Sequence, residues 1–252
     1  MILLKGKRAL VTGGSRGIGR ACAIMLAKAG TDVAFNYSQN KEAALEVKSK
    51  IEEEKRQCLI FQTDLSKKGQ TESMVSQLKK SWERIDILIN NAGIWTYGEM
   101  GGMDYGIWKE TMEINLDGVF LITNSVVPLM KKAHHGCIIN ISSTAAIRGE
   151  AFHSHYAASK GALVSLTKSL AVELASYKIR VNCVAPGWVD TEMCSDVFKD
   201  KDFKNKIKES IPLKRIPPPE DIAGPVIFLA SDYAKHITGE ILNVNGGAVL
   251  CG

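Results

Sequence analysis

Arg8-Ala9-Leu10-Val11-Thr12-Gly13-Gly14-Ser15-Arg16-Gly17-Ile18-Gly19 is a short apolar run, a glycine-rich turn and the start of a helical pattern that continues through Ala29. Arg8 to Thr12 has the composition of a strand, and Gly30 stands where a helix-ending residue belongs. Small residues between strand and helix let backbone N–H groups approach a pyrophosphate, and the helix N-terminus favours its charge. The spacing is Gly13-x3-Gly17-x-Gly19 rather than the common G-x-G-x-x-G. A glycine turn alone is also an ordinary tight connection. Its position directly after the first strand is what points to a nucleotide, with Gly13, Ser15, Arg16, Gly17, Ile18 and Gly19 as the expected contacts.

Outward from this stretch, strand-like and helix-like segments alternate. Strands are expected at Thr31–Tyr37, Cys58–Thr63, Ile85–Asn90, Cys137–Ile141, Arg180–Ala185 and Glu240–Val244. Helices are expected at Lys41–Lys55, Lys67–Trp82, Ala157–Ala175 and Pro219–Ala230, with one long helix from about Tyr105 to Met130. Most strands are continuous apolar runs, the mark of a parallel sheet covered on both faces. The expectation is an α/β fold: one doubly wound Rossmann-type domain over residues 1–252, with about seven strands and helices on both faces.

Composition narrows the class. Of 252 residues, 45% are hydrophobic and 23% charged, and the net charge of +5 comes from dispersed lysines, which argues against a dedicated nucleic-acid binder. Met1-Ile2-Leu3-Leu4 is too short for a signal-peptide core, and no run approaches a membrane span. The six cysteines (Cys22, Cys58, Cys137, Cys183, Cys194, Cys251) are scattered without C-x-x-C spacing, so reduced thiols and a cytoplasmic setting are expected. No ligand cluster suggests a metal, and His134-His135 reads as a solvated turn.

The end of the second strand chooses between cofactors. A fold that binds NAD usually carries an acid there for the ribose hydroxyls. This chain has Asn36-Tyr37-Ser38 instead, with Arg16 in the glycine loop. The missing acid removes repulsion against a 2′-phosphate and the arginine adds attraction, which favours NADP(H) over NAD(H).

Tyr156-Ala157-Ala158-Ser159-Lys160 places a phenol and an ammonium four residues apart, on one face of a helix. A nearby ammonium favours the phenolate, although moving a phenol from about 10 to about 7 requires roughly 4 kcal/mol. By itself the pair is also an ordinary helix-face pair.

Taken with Thr12-Gly13-x3-Gly17-x-Gly19, Asn90-Asn91-Ala92-Gly93, Ser143 and Pro186-Gly187, the pair makes the chain resemble the short-chain dehydrogenase/reductase superfamily from about Lys5 to Gly247. Within it, the chain looks most like 3-oxoacyl-acyl-carrier-protein reductases. That resemblance implies Tyr156 as general acid in carbonyl reduction and Lys160 as the group that tunes it and holds the nicotinamide ribose. It implies Ser143 on the substrate oxygen, with Ser142 as the alternative, and Asn115 holding a water that links Lys160 to solvent. Asp64 and Leu65 would meet the adenine, although Asp64 also suits a cap for the next helix. Asn91, Ala92 and Gly93 would line the cofactor, together with Pro186, Gly187, Val189 and Thr191; Thr191 could instead cap a helix. A homotetramer is a further implication.

The expected substrate walls are residues 94–103 and a lid at about 188–219, rich in Trp95, Tyr97, Met100, Met103, Trp188, Met193 and Phe198. Between Ser195 and Arg215, seven basic residues face four acids, which fits a lysine-rich amphipathic lid helix or attraction to a phosphopantetheine carrier. Carrier-protein reductases typically continue Asn-Asn-Ala-Gly-Ile with a small polar run, where this chain has Trp95-Thr96-Tyr97-Gly98. The leading reading is an NADP(H)-dependent carbonyl reductase, with 3-oxoacyl thioesters among the candidate substrates. The alternatives are an alcohol, sugar or hydroxysteroid dehydrogenase working oxidatively, and a non-catalytic dinucleotide sensor, which would need no proton-transfer groups. His153 and His155, beside Tyr156, read as loop or wall residues, with a proton relay as the alternative.

Overall fold

The computed structural model describes residues 2–250; Met1 of the N-terminal apolar run and Cys251 lie outside the described residues. Strands β1 (Arg8–Val11), β2 (Asp32–Tyr37), β3 (Cys58–Gln62), β4 (Ile87–Asn90), β5 (Gly136–Ile141), β6 (Ile179–Pro186) and β7 (Ile241–Val244) form one sheet in the order β3-β2-β1-β4-β5-β6-β7. Every pairing is parallel. The strand order runs one way from β1 to β3 and the other way from β4 to β7. The crevice above the carboxyl ends of β1 and β4 is therefore a topological switch point, where such sheets bind ligands.

The helices are α1 (Gly17–Lys28), α2 (Lys41–Glu53), α3 (Lys68–Ser81), α4 (Tyr105–Met112), α5 (Gly118–Ala133), α6 (Ala145–Arg148), α7 (Ser154–Leu174), α8 (Lys201–Ser210) and α9 (Glu220–Ala230). Alternate strand residues face opposite layers. Ala9, Val11, Ile87, Ile89 and Ile139 pack with Leu26, Ile51 and Val226 of α1, α2 and α9. Leu10, Leu88, Ile138 and Val181 pack with Leu78, Val126 and Leu174 of α3, α5 and α7. Continuous apolar strands are thus apolar because both faces are covered.

A polar ladder crosses this second layer. Asn90 Nδ2 donates to Asn140 Oδ1 at 2.8 Å and to Thr123 Oγ1 at 3.0 Å, and Asn140 Nδ2 donates to Thr167 Oγ1 at 2.8 Å. Buried amides need such partners, and these tie β4 and β5 to α5 and α7.

The expected long helix is interrupted. Between α4 and α5 the chain takes one wide π-type turn, Glu113–Asp117. Within it Asn115 is fully buried, and its side chain accepts from Ile94 N at 2.8 Å and donates to Ile94 O at 2.9 Å. Extra residues of this kind are often found at functional sites. Helix α7 starts at Ser154 rather than Ala157, which puts Tyr156 in its first turn. Pro186 closes β6 instead of breaking it, paired with Val244 at the strand end where proline is tolerated. Between β6 and α9, Asp200 caps α8 by accepting from Asp202 N and Phe203 N. Phe198, Ile207 and Ile211 form a small separate core with Trp188 against it.

Candidate active site

A cavity of about 700 Å³ opens at the switch point, and residues from every loop at the carboxyl ends of β1 to β6 line it. At one end is the glycine turn. Gly13 and Gly17 have φ of +65° and +52°, a region that disfavours side chains. A Cβ on Gly14 would stand 2.5 Å from the Phe35 side chain, and one on Gly19 would stand 2.5 Å from Asn91 Nδ2 and against the Gly13 carbonyl. Gly13, Ser15, Arg16, Gly17 and Ile18 line the cavity, whereas Gly19 lies beneath it and brings α1 close to β1. The turn is thus a cradle of backbone at a helix N-terminus, which fits a pyrophosphate.

Asn36 has a structural task. Its Oδ1 accepts from Gly13 N and its Nδ2 donates to Thr63 O, both at 3.0 Å, so it braces the glycine turn against β3. Tyr37, Ser38, Asp64 and Leu65 line the cavity beside it. Arg16 and Ser38 are exposed, and among the described residues no acid pairs with Arg16. Asp64 Oδ1 accepts from Ser66 N at 3.0 Å and Ser66 Oγ at 2.7 Å, a turn before α3, while the residue also lines the cavity. Thr12 holds the next loop: its Oγ accepts from Asn91 N at 2.8 Å and Ala92 N at 3.0 Å. Asn91, Ala92 and Gly93 thereby line the middle of the cavity.

At the far end, β5 and α7 bring Ser143, Tyr156 and Lys160 together. Ser142 Oγ donates to Lys160 O at 2.8 Å, so this hydroxyl is committed to the helix backbone. Ser143 lines the cavity beside the Tyr156 phenol, whose charged form it favours, and its hydroxyl accepts from Ala145 N at 3.1 Å. Lys160 Nζ donates to Ile141 O at 2.9 Å and lies 5.8 Å from the Tyr156 ring centre. A Cβ on Gly93 would stand 3.1 Å from Asn115 Oδ1 and 3.3 Å from Lys160 Nζ, so the three meet edge to edge. Asn115 Nδ2 also donates to Ser159 Oγ at 3.1 Å; the residue stands behind the wall rather than in it.

Burial dominates the electrostatics. It pushes the Tyr156 phenol well up; Ser143 opposes this, and the charges of Glu150 and Cys194 add to it. Burial also lowers Lys160 from 10.5 to about 8. A buried lysine so depressed makes stability depend on pH. Below 8 both folded and unfolded states are protonated and the burial cost is complete. Between 8 and 10.5 the unfolded chain binds more protons, so stability rises with pH. In urea melts, the stability of the wild type relative to Lys160→Met should therefore improve from about pH 7.5 to about pH 10; a constant difference would contradict the shift.

Pro186, Gly187, Val189 and Thr191 line the cavity as well. Thr191 makes no side-chain cap; its methyl packs 3.4 Å from where a Gly17 Cβ would stand. Of the aromatic residues expected in the walls, Trp95 and Trp188 line the cavity with Met193, whereas Tyr97 and Met100 are outside it and exposed. His153 stacks on Trp95 with ring centres 4.4 Å apart, and His155 Nε2 holds Thr96 Oγ1 at 3.0 Å. Neither lines the cavity; both pack behind the loop that carries Trp95 and Thr96. Sequence reasoning did not anticipate Gln39, Asn40, Glu110, Arg148, Glu150 or Cys194 in the lining. Gln39 and Asn40 directly follow the second strand and were within reach of the same argument; the others had no local signal.

A doubly wound sheet with a glycine cradle at one end of its crevice and a Ser–Tyr–Lys group at the other is the architecture of an oxidoreductase of the Rossmann class. The family model described as enoyl-(acyl carrier protein) reductase matches residues 13–249. A 3-oxoacyl-acyl-carrier-protein reductase of Staphylococcus epidermidis is 39% identical over 241 residues, covering 96% of this chain and 98% of that protein. One from Synechocystis is 38% identical over 251 residues, covering 99% and 100%. A crystal structure of a Sinorhizobium meliloti protein described as a short-chain alcohol dehydrogenase superposes with a TM-score of 0.93 at 34% identity, covering 98% of this chain and 97% of the other. The chain belongs to the short-chain dehydrogenase/reductase family and is an oxidoreductase of that family. No helix among the described residues is long and apolar enough to cross a membrane.

Proposed function

We propose that this chain is an NADP(H)-dependent reductase that converts a carbonyl to a secondary alcohol, with Tyr156 as the general acid. The observation that carries this reading is the meeting of Ser143, Tyr156 and Lys160 in the cavity that begins at the glycine cradle. When bound, the reduced nicotinamide supplies the hydride. Ser143 hydrogen-bonds the substrate oxygen and orients it toward the phenol. Tyr156, held protonated by burial, donates its O–H to the oxygen as negative charge develops there. Lys160 holds the ribose hydroxyls from the α7 side, and Asn115, fixed by Ile94 and Ser159, positions a water that resupplies the proton. Arg16 and Ser38, both exposed and facing the cavity, receive the 2′-phosphate.

The names of the relatives support a 3-oxoacyl thioester as the first substrate class, and the description of the structural neighbour supports alcohol oxidation as the second. Residues 188–219 act as a lid in a single domain of residues 1–252. The enzyme works as a homotetramer in the cytoplasm.

The test is a substrate panel followed by absorbance of the reduced nicotinamide, with NADPH and NADH in turn. Preference for NADPH is the expected result, and Arg16→Ala should cut the ratio of the two kcat/KM values by about 10- to 100-fold, the worth of one charge-assisted contact. A wild-type preference for NADH would defeat the Arg16–Ser38 argument. Tight NADPH binding without turnover across the panel would favour a sensor.

A further inference from the structure

Glu150 is a largely buried carboxylate that the chemistry above does not use. It stands between α6 and α7, lines the cavity with Ser143 and Tyr156, and its side chain is 19% exposed. Its surroundings are aromatic. The Trp95 indole lies near it and favours its charged form; that ring stacks on His153 within 4° of parallel, and Trp188 meets it edge-on with ring centres 5.7 Å apart.

The charged groups around Glu150 leave it only partly satisfied. His153 Nδ1 is 3.9 Å from Glu150 Oε1, too far for a hydrogen bond, and the same nitrogen is 3.0 Å from the Ala151 carbonyl oxygen. Arg148 attracts it more weakly, and Glu110 of α4 adds a second acid to the lining. Burial pushes the carboxyl up, while His153, the indole and Arg148 oppose that. A carboxylate has about four acceptor positions, and His153 Nδ1, at 3.9 Å, stops short of filling one. Acceptor capacity is therefore left on the cavity wall, close enough to Tyr156 that the negative charge acts on the phenol.

A carboxylate with open acceptor positions on a cavity wall suits a hydrogen-bond donor, and an ammonium best of all. It repels a second carboxylate. We propose that Glu150, which lines the cavity with Ser143 and Tyr156, is the specificity-determining residue of this cavity: it admits carbonyl compounds carrying an ammonium or other hydrogen-bond donor and excludes free oxo acids. An oxo acid esterified to a thiol has lost the excluded charge, so the inference deepens the carbonyl-reductase reading on which it rests.

The test uses three ketones of equal length that end in an ammonium, a hydroxyl or a carboxylate, with wild type and Glu150→Gln. The wild type should rank them in that order by kcat/KM. In Glu150→Gln the ammonium compound should lose about tenfold or more, chiefly through KM, the hydroxyl compound should lose less, and the carboxylate compound should gain. A second readout needs no turnover: intrinsic fluorescence, to which Trp95 and Trp188 contribute, titrated with the ammonium compound in the presence of NADP. Its apparent Kd should rise about tenfold in Glu150→Gln, whose thermal melt checks that the near-isosteric change leaves the fold intact. Turnover with the same ranking in both proteins, or ligand binding independent of residue 150, overturns the Glu150 assignment and leaves the reductase reading standing. Glu150-dependent binding with no reduction of any ketone does the reverse.

Discussion

Tyr156→Phe lowers kcat by about 10² to 10⁴ while leaving cofactor affinity nearly unchanged, because it removes one proton donor and little else. The ring is buried, and phenylalanine keeps its packing and its face toward Lys160 Nζ. What disappears is the hydroxyl that stands beside Ser143. The direction of the tyrosine's shift disfavours the phenolate, the form that the oxidative reaction requires. Burial, Glu150 and Cys194 all hold the phenol protonated, which is the form an acid must have before it meets a developing alkoxide. Oxidation asks for the phenolate and thus for positive charge nearby, which Lys160 supplies less readily at about 8 than an ordinary lysine would. Turnover measured by nicotinamide absorbance, paired with a fluorescence titration of NADPH, separates chemistry from binding. Retained turnover in Tyr156→Phe would falsify the assignment of the acid.

The same residues show how far the sequence reached. The sheet was legible because continuous apolar runs such as Ile138-Ile139 can be covered only from both sides, and Gly13 to Gly19 marked the first crossover. The grouping of Ser143 with Tyr156 was legible through the resemblance, because the thirteen-residue spacing spans the end of β5 and the first turn of α7. Asn115 was legible as a residue and not as a geometry. A helical period cannot show one wide turn, and the turn exists because the Asn115 amide grips the Ile94 backbone, a contact between positions 21 apart. Asn36 lines the cavity as expected, and its amide also braces Gly13 and Thr63; such pairings depend on strand register. Glu150 was silent because its neighbour Trp95 comes from the loop after β4, some 55 residues earlier in the chain. The lysine tuning expected from a four-residue spacing met a stronger effect, since burial shifts both members of the pair toward their neutral forms.

Gly19→Ala carries the other large effect, and it acts through backbone rather than chemistry. The added methyl has its closest neighbours in the Gly13 carbonyl and Asn91 Nδ2, the latter at 2.5 Å. Neither is the free end of a flexible side chain. Gly13 is part of the cradle, and Asn91 Nδ2 donates to Thr12 O at 2.9 Å and Gly13 O at 3.3 Å, joining the two loops that line the cavity. Helix α1 must therefore retreat from β1, or those bonds must break. Overpacking of this kind costs about 1–3 kcal/mol, which lowers Tm by roughly 2–4 °C per kcal/mol in a chain of this size. Cofactor affinity should fall by about tenfold or more, since retreat of α1 takes the helix N-terminus away from the pyrophosphate. Gly69→Ala is the matched control. It lies in α3, where a Cβ would meet nothing within 4 Å, so alanine should be neutral or add up to about 1 kcal/mol of helix stability. Thermal melts and NADPH titrations of the two variants should move in opposite directions or differ sharply in size. If Gly19→Ala matched Gly69→Ala in both, the close approach of α1 to β1 would not be what holds the cradle.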